Sequence, residues 1–204
     1  PRFTLKSLFS FAMHPRWSFN LLIHPDFRLA NVVHRVDALS NSPMSLIEYV
    51  NSQFDRTVSW EDVAWLIQEW NGPFVIKGLL TADDATKAKD VGASAIMISN
   101  HGGRQLDGTP APIDCISSMR EAVGNDLELI VDGGIRRGTH IIKALALGAD
   151  AVSIGKAYLY GLAAGGQKGV ELALQMLRNE LERDMALLGV SSIKQLSSKY
   201  IRKR

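Results

Sequence analysis

Two stretches of this chain about 55 residues apart are near copies of one another. The first is Val75-Ile76-Lys77-Gly78 followed by Val91-Gly92-Ala93-Ser94-Ala95-Ile96-Met97-Ile98-Ser99. It returns as Ile130-Val131-Asp132-Gly133 followed by Leu147-Gly148-Ala149-Asp150-Ala151-Val152-Ser153-Ile154-Gly155. Each copy holds an apolar run, a helical stretch and a second apolar run, so the repeated unit is two βα units long. Repetition by quarters suits an eight-stranded (β/α)8 TIM barrel better than an open, doubly wound sheet.

The apolar runs Phe74-Val75-Ile76, Ala95 to Ile98, Leu127 to Val131 and Ala151 to Ile154 are rich in Val and Ile. They read as strands buried on both faces of a parallel sheet. Helices are predicted to start near Thr81, Pro112 and Arg137, with Pro112 in a first turn and Gly92 and Gly148 as C-terminal caps. Four strands are half of a barrel. The expected architecture is therefore α/β, the C-terminal half of a TIM barrel (strands 5 to 8 with their helices), with the N-terminal half absent and two sheet edges to be covered. A start at Pro1 inside an ongoing pattern adds the expectation of a fragment or processed product.

The strand ends carry the chemistry. After Ile98 comes Ser99-Asn100-His101-Gly102-Gly103-Arg104-Gln105-Leu106-Asp107-Gly108, at the end of the strand where α/β barrels keep their active sites. His101 can take a proton near neutral pH, and Arg104 can grip a carboxylate with two parallel hydrogen bonds. The pair fits a carboxylic acid with an abstractable hydrogen. The competing reading is a loop whose His and Arg bond only backbone carbonyls. Two further strand ends, Asp132-Gly133-Gly134-Ile135-Arg136-Arg137-Gly138-Thr139 and Ile154-Gly155-Lys156, combine close-approach glycines with cations and a helix start. That combination predicts a phosphate cradle.

Composition narrows the function classes. With 204 residues, 46% of them apolar, the chain can bury one sizeable core. A net charge of +2 without long like-charge blocks gives no case for nucleic acid. A lone cysteine, Cys115, excludes an internal disulfide framework and a thiolate metal cluster. No metal is expected. No apolar run approaches the roughly 20 residues that span a bilayer, no signal peptide is recognisable, and the expected setting is cytoplasmic.

Taken together, Val75 to Gly78, Ser99 to Asp107, Asp132 to Thr139 and Ile154 to Lys156 resemble the FMN-dependent α-hydroxy acid dehydrogenase and oxidase family, its L-lactate dehydrogenases most of all. The likeness extends to Ser59-Trp60-Glu61-Asp62-Val63-Ala64-Trp65-Leu66 and covers only the C-terminal half of the family's barrel. It implies FMN as cofactor, a small 2-hydroxy acid as substrate, and oxidation of the L-2-hydroxy acid to the 2-oxo acid. His101 matches the base, Arg104 the substrate-carboxylate clamp, and Lys77 the cation beside the flavin N1/O2 edge. Ser99 matches a ring contact and Asp132 a ribityl ligand. Gly133, Gly134, Ile135, Arg136, Gly155 and Lys156 match the phosphate cradle. Lysine stands at 156 where the family usually has arginine, which keeps the charge and loses the bidentate fork.

The resemblance also implies parts outside this sequence: a substrate tyrosine, a second substrate arginine and the aspartate that orients the base. Activity is thus expected of a longer parent, or of this chain paired with the other half of its barrel, in a homo-oligomer (a tetramer in the family). Residues 1–40 read as an insertion segment and 41–204 as an FMN-binding half-barrel. In the first 36 residues Phe3, Phe9, Phe11, Trp17, Phe19 and Phe27 are interleaved with Arg2, Lys6, Arg16, Arg28 and Arg35 against the single acid Asp26. This fits peripheral contact with the inner face of the cell membrane, the alternatives being a loop packed over the barrel or a disordered one. A short helix is predicted around Met44 to Phe54, and an amphipathic one through Val170, Leu174, Leu177, Leu181, Met185 and Leu188, with Glu180, Glu182, Arg183 and Asp184 on its solvated face. The basic tail Lys199 to Arg204 is predicted to fray.

Two other readings use the same residues. An inosine-monophosphate dehydrogenase type of barrel has a similar Asp-Gly-Gly-Ile-Arg loop, but a cysteine nucleophile where this chain has His101 and Arg104. A non-catalytic half-barrel would keep the phosphate site without turnover.

Overall fold

The computed structural model describes residues 4–23 and 49–202. The chain divides into two compact units, Pro1–Thr57 and Val58–Arg204. In the first, helix α1 (Leu5–Met13) begins at a capping box in which Thr4 and Ser7 exchange side chain and backbone. Helix α2 (Pro15–Ile23) opens on a proline, which lacks the amide that a first turn leaves unpaired anyway. Phe11 and Trp17 stack with centroids 5.5 Å apart. Neither helix buries a residue or carries an acid. Leu5, Phe9, Met13, Phe19 and Leu22 are all exposed. The remaining residues of the aromatic and basic segment, from Arg2 and Phe3 to Arg35, and the start of the predicted Met44 to Phe54 helix, lie outside the described residues; 49–52 are helical.

The second unit is built by alternation. Helix α3 (Trp60–Trp70) packs Trp60 and Ile67 on the core. It is followed by β1 (Val75–Lys77), α4 (Ala82–Asp90), β2 (Ala95–Ile98), α5 (Pro112–Val123), β3 (Glu128–Asp132), α6 (Gly138–Ala146), β4 (Ala151–Ser153) and α7 (Lys156–Leu187). The four strands form one parallel sheet in the order β1-β2-β3-β4. A doubly wound sheet reverses its order at a switch point. This one never does, as in the wall of an α/β barrel.

The repeat survives as geometry. Gly92 and Gly148 both take positive φ, 90° and 111°, so that Ala93 N–H can return to Ala88 O and Ala149 N–H to Ala144 O, which closes each helix with the same motif. Ser94 Oγ accepts from Phe74 N–H at 3.2 Å, and Asp150, one repeat on, accepts from Leu129 N–H at 2.8 Å. Asp150 also meets Arg120, whose guanidinium donates to Gly148 O, Gly124 O and Leu127 O. Arg120 thereby ties α5 to the entries of β3 and β4. Arg120→Ala leaves several carbonyls unpaired and is expected to cost about 2–4 kcal/mol in urea unfolding.

Burial departs from the sequence reading in three places. Only β2 is buried on both faces; β1 and β4 are outer strands with one neighbour each, and Val75 is 44% exposed. Helix α7 is broken at Gly165 and Gly166, where the backbone leaves helical geometry. Of its predicted solvated acids, Asp184 is buried, and Glu180 turns inward to accept from Gly138 N–H at 2.7 Å where α6 packs closely on α7. At the C-terminal end, Ser198–Tyr200 forms a 3-10 turn that packs on α6, so the predicted fraying does not begin at Lys199.

The core joins Ile96, Ile98, Ile116, Met119, Leu127, Leu129 and Val131. Cys115 lies within it, and burial, with Asp114 nearby, pushes its thiol pKa up. It is a small apolar side chain here, not a nucleophile.

Candidate functional site

All four strands end at one cleft of about 740 Å³, within the usual size of a cofactor pocket. Three strand ends meet at a single carboxylate. Lys77, last residue of β1, and Asp132, last residue of β3, occupy equivalent places in the two repeats, and Lys77 Nζ reaches Asp132 Oδ2 at 2.7 Å. Ser99, just past β2, donates from Oγ to the same oxygen at 2.7 Å. Burial raises the Asp132 pKa, but the bonds from Lys77 and Ser99, the Lys77 charge and the Ser153 hydroxyl outweigh it and hold the carboxyl below its usual range.

Asp132→Asn keeps the shape and removes the charge. A depressed folded pKa means that the stabilisation is complete above the unfolded carboxylate pKa of about 3.9 and fades as pH falls through the folded value. Urea unfolding should therefore show the variant weaker by about 1 kcal/mol at pH 7, discounted because Lys77 is half-exposed, and the two proteins converging in strong acid.

The His101 loop is held from behind. Ser99, only 2% exposed, accepts the His101 N–H at 3.1 Å. His101 takes φ +57° and is followed by Gly102 at +69° and Gly103 at +70°, a left-handed run that side chains other than glycine resist by roughly 1–2 kcal/mol. Strain of this kind gathers at functional sites. His101, Gly102, Gly103 and Arg104 all line the cleft. Lys156 Nζ approaches Gly102 so closely that a side chain there would lie 3.7 Å away.

Opposite stand Gly133, Gly134, Ile135 and Arg136 from the end of β3, with Gly155 and Lys156 from the start of α7. The start of α6, which the sequence reading assigned to an anion, has one of its amides already engaged. Its first amide, Gly138 N–H, is taken by Glu180, which also lies 3.7 Å from Arg137. The loop residues before α6 and the first residues of α7 line the cleft.

The structure thus gathers Lys77, His101, Arg104, Asp132, Gly133, Gly134, Ile135, Arg136, Gly155 and Lys156 around one cavity and places Ser99 behind it. Sequence reasoning missed Asn100, Ser153, His140 and Lys143. Asn100 Oδ1 accepts Gly103 N–H at 3.2 Å, a turn that Asn before His-Gly-Gly signals. His140 Nδ1 sits 3.1 Å from Gly134 O and 3.3 Å from Arg136 N. Its place in the first turn of α6 was the available signal, since third-residue side chains there reach back to the preceding loop. No group of metal-ligating side chains occurs among the described residues.

The profile of FMN-dependent dehydrogenases matches residues 1–203. The chain is a member of that family. It is 45% identical over 186 residues to the pre-mycofactocin synthase of Mycobacterium tuberculosis (strain H37Rv), covering 90% of this chain and 46% of the relative. Against the L-lactate dehydrogenase of Xanthomonas campestris pv. campestris (strain 8004) identity is 39% over 201 residues, covering 97% and 51%. Among solved structures, the monotopic membrane protein (S)-mandelate dehydrogenase superposes with a TM-score of 0.89 at 36% identity, covering all of this chain and 53% of the other. The chain spans about half the length of these FMN-dependent dehydrogenase relatives. Membership excludes the inosine-monophosphate dehydrogenase reading.

Proposed function

We propose that this cleft binds FMN and that the whole protein oxidises an L-2-hydroxy acid, L-lactate by preference, to its 2-oxo acid, with a respiratory acceptor or oxygen as the final oxidant. One observation carries the reading: a cationic glycine loop and a base-and-guanidinium loop share a cavity, with a lysine at the neighbouring strand end. The residues fit the group. Lys77, Arg104, Arg136, Lys143 and Lys156 line the cleft against the single carboxylate Asp132, a charge balance suited to a phosphate and a substrate carboxylate.

When bound, FMN supplies the two-electron acceptor that protein side chains lack. Arg136 and Lys156 would hold its phosphate, with Gly133, Gly134, Ile135 and Gly155 letting the backbone close in. Asp132 would take ribityl hydroxyls, and Lys77 would stand where negative charge collects. Ser99 acts through Asp132 and through the His101 amide rather than from the cleft lining. Arg104 clamps the substrate carboxylate, and His101 removes the proton from the α-carbon or the hydroxyl.

The four strands are, in this proposal, strands 5 to 8 of a barrel whose other half lies elsewhere in a longer protein. The exposed outer face of β1 and the double length of the relatives support that reading. Residues 1–40 would form the insertion and 41–204 the half-barrel. The insertion would contact the cytoplasmic membrane face through its exposed aromatics and leucines. No described helix is long and apolar enough to cross a membrane. Phe9→Glu with Phe19→Glu is expected to cut sedimentation with anionic vesicles about tenfold or more.

A second reading rests on the greater identity to pre-mycofactocin synthase than to the lactate dehydrogenase: the same site with a substrate other than L-lactate. Titration with FMN followed by anaerobic L-lactate decides. Bound flavin that bleaches supports the lactate reading. Bound flavin in the full-length protein that L-lactate leaves oxidised turns the assignment to the second reading. A full-length protein without affinity for FMN sinks both.

A further inference from the structure

We infer that His140 is the positioning residue of the phosphate loop and that it grips an anion more tightly when its imidazole is protonated; this rests on the FMN reading above. The third residue of a helix can return its side chain to the backbone that leads into the helix, a place usually taken by Glu or Gln. Here an imidazole occupies it. Nδ1 lies 3.1 Å from Gly134 O and 3.3 Å from Arg136 N, so one ring nitrogen spans the two ends of the turn that faces the cleft.

A single nitrogen cannot serve both partners at once. With Nδ1 unprotonated it accepts the Arg136 N–H, and that amide is withheld from any ligand. With Nδ1 protonated it donates to Gly134 O, and the Arg136 N–H is released. When the neutral ring carries its proton on Nε2, Nδ1 holds the Arg136 amide, and protonation of the ring then adds a cation and frees that amide in the same turn. Both changes favour an anion. By linkage, seating a phosphate dianion must draw a proton onto His140.

The surroundings set the direction. Arg136 in the same loop, Lys143 one turn further along α6 and Lys156 at the start of α7 line the cleft with His140, and Arg104 and His101 line it from the β2 loop. These groups leave the lining cationic, the sign that an anion answers. Asp132 is engaged by Lys77, and Glu180, from the packed helix α7, is engaged by Gly138 N–H. No carboxylate in the cleft lining is thus left to hold the imidazolium, and a bound phosphate takes that role.

Calorimetric titration of the full chain with FMN, in two buffers of different ionisation enthalpy near pH 7, reads the proton directly. The wild type should take up a fraction of a proton more than His140→Gln, in which Gln retains the loop bonds without titrating. FMN affinity of His140→Ala should fall about tenfold, the worth of one or two hydrogen bonds, while riboflavin, which lacks the phosphate, binds wild type and variant alike. His140→Gln should restore most of that affinity at pH 8. Equal proton uptake in wild type and His140→Gln overturns the inference. So does His140→Ala binding FMN as tightly as wild type, or losing FMN and riboflavin in equal measure. A wild type that binds no FMN would instead remove the cofactor reading itself.

Discussion

Turnover of the proposed 2-hydroxy acid by the full-length protein is expected to fall about 10²–10⁴-fold when His101 is replaced by Gln, the usual contribution of a positioned base, while FMN affinity stays essentially unchanged. The asymmetry follows from where His101 stands. Its side chain lines the cleft on the β2 loop, while the cationic glycine loop comes from β3 and α6. Its backbone N–H is what Ser99 holds, and Gln retains that amide and meets the same left-handed backbone. The variant therefore loses the imidazole and little else. Stopped-flow reduction under argon measures the loss, and flavin titration measures the affinity. An unchanged reduction rate would remove His101 from the role of base.

The alternation, the helix starts and the strand ends were legible because local chemistry determines them. Thr81, Pro112 and Arg137 stand at helix starts, and Gly92 and Gly148 close helices through backbone conformations that other residues resist. The repeat also reaches into the site. Lys77 and Asp132 hold equivalent places in the two copies, and the sheet brings them within 2.7 Å of each other. What stayed hidden depends on packing between distant elements. Asp184 and Glu180 sit among charged neighbours on α7 and read as solvated, yet Asp184 is buried and the Gly138 amide of α6 turns Glu180 inward. Ser99 reads as a cleft residue, yet it lies behind the lining because its hydroxyl is drawn to Asp132. His140 carries no sequence mark beyond its place in the helix, and its ring gains a role only once the loop before α6 folds back over it.

Gly138→Ala is expected to destabilise the Val58–Arg204 unit by about 3 kcal/mol, visible as a melting point lower by roughly 6–12 °C. The position is buried, and a Cβ there would lie 2.4 Å from Leu181 N and 2.5 Å from Glu180 C. Those are backbone atoms of α7, so no rotamer change relieves the overlap and the two helices must separate. Alanine is the better helix former by roughly 1 kcal/mol, an opposing gain too small to reverse the sign. Separation also pulls Glu180 from the Gly138 amide and loosens the loop just before it, so FMN affinity should fall together with stability. Gly134→Ala supplies the contrast. Its Cβ would meet nothing within 4 Å, but its φ of +74° strains any side chain, by roughly 1–2 kcal/mol. If Gly138→Ala melts no lower than Gly134→Ala, the tight α6 and α7 contact is not what holds the phosphate loop in place.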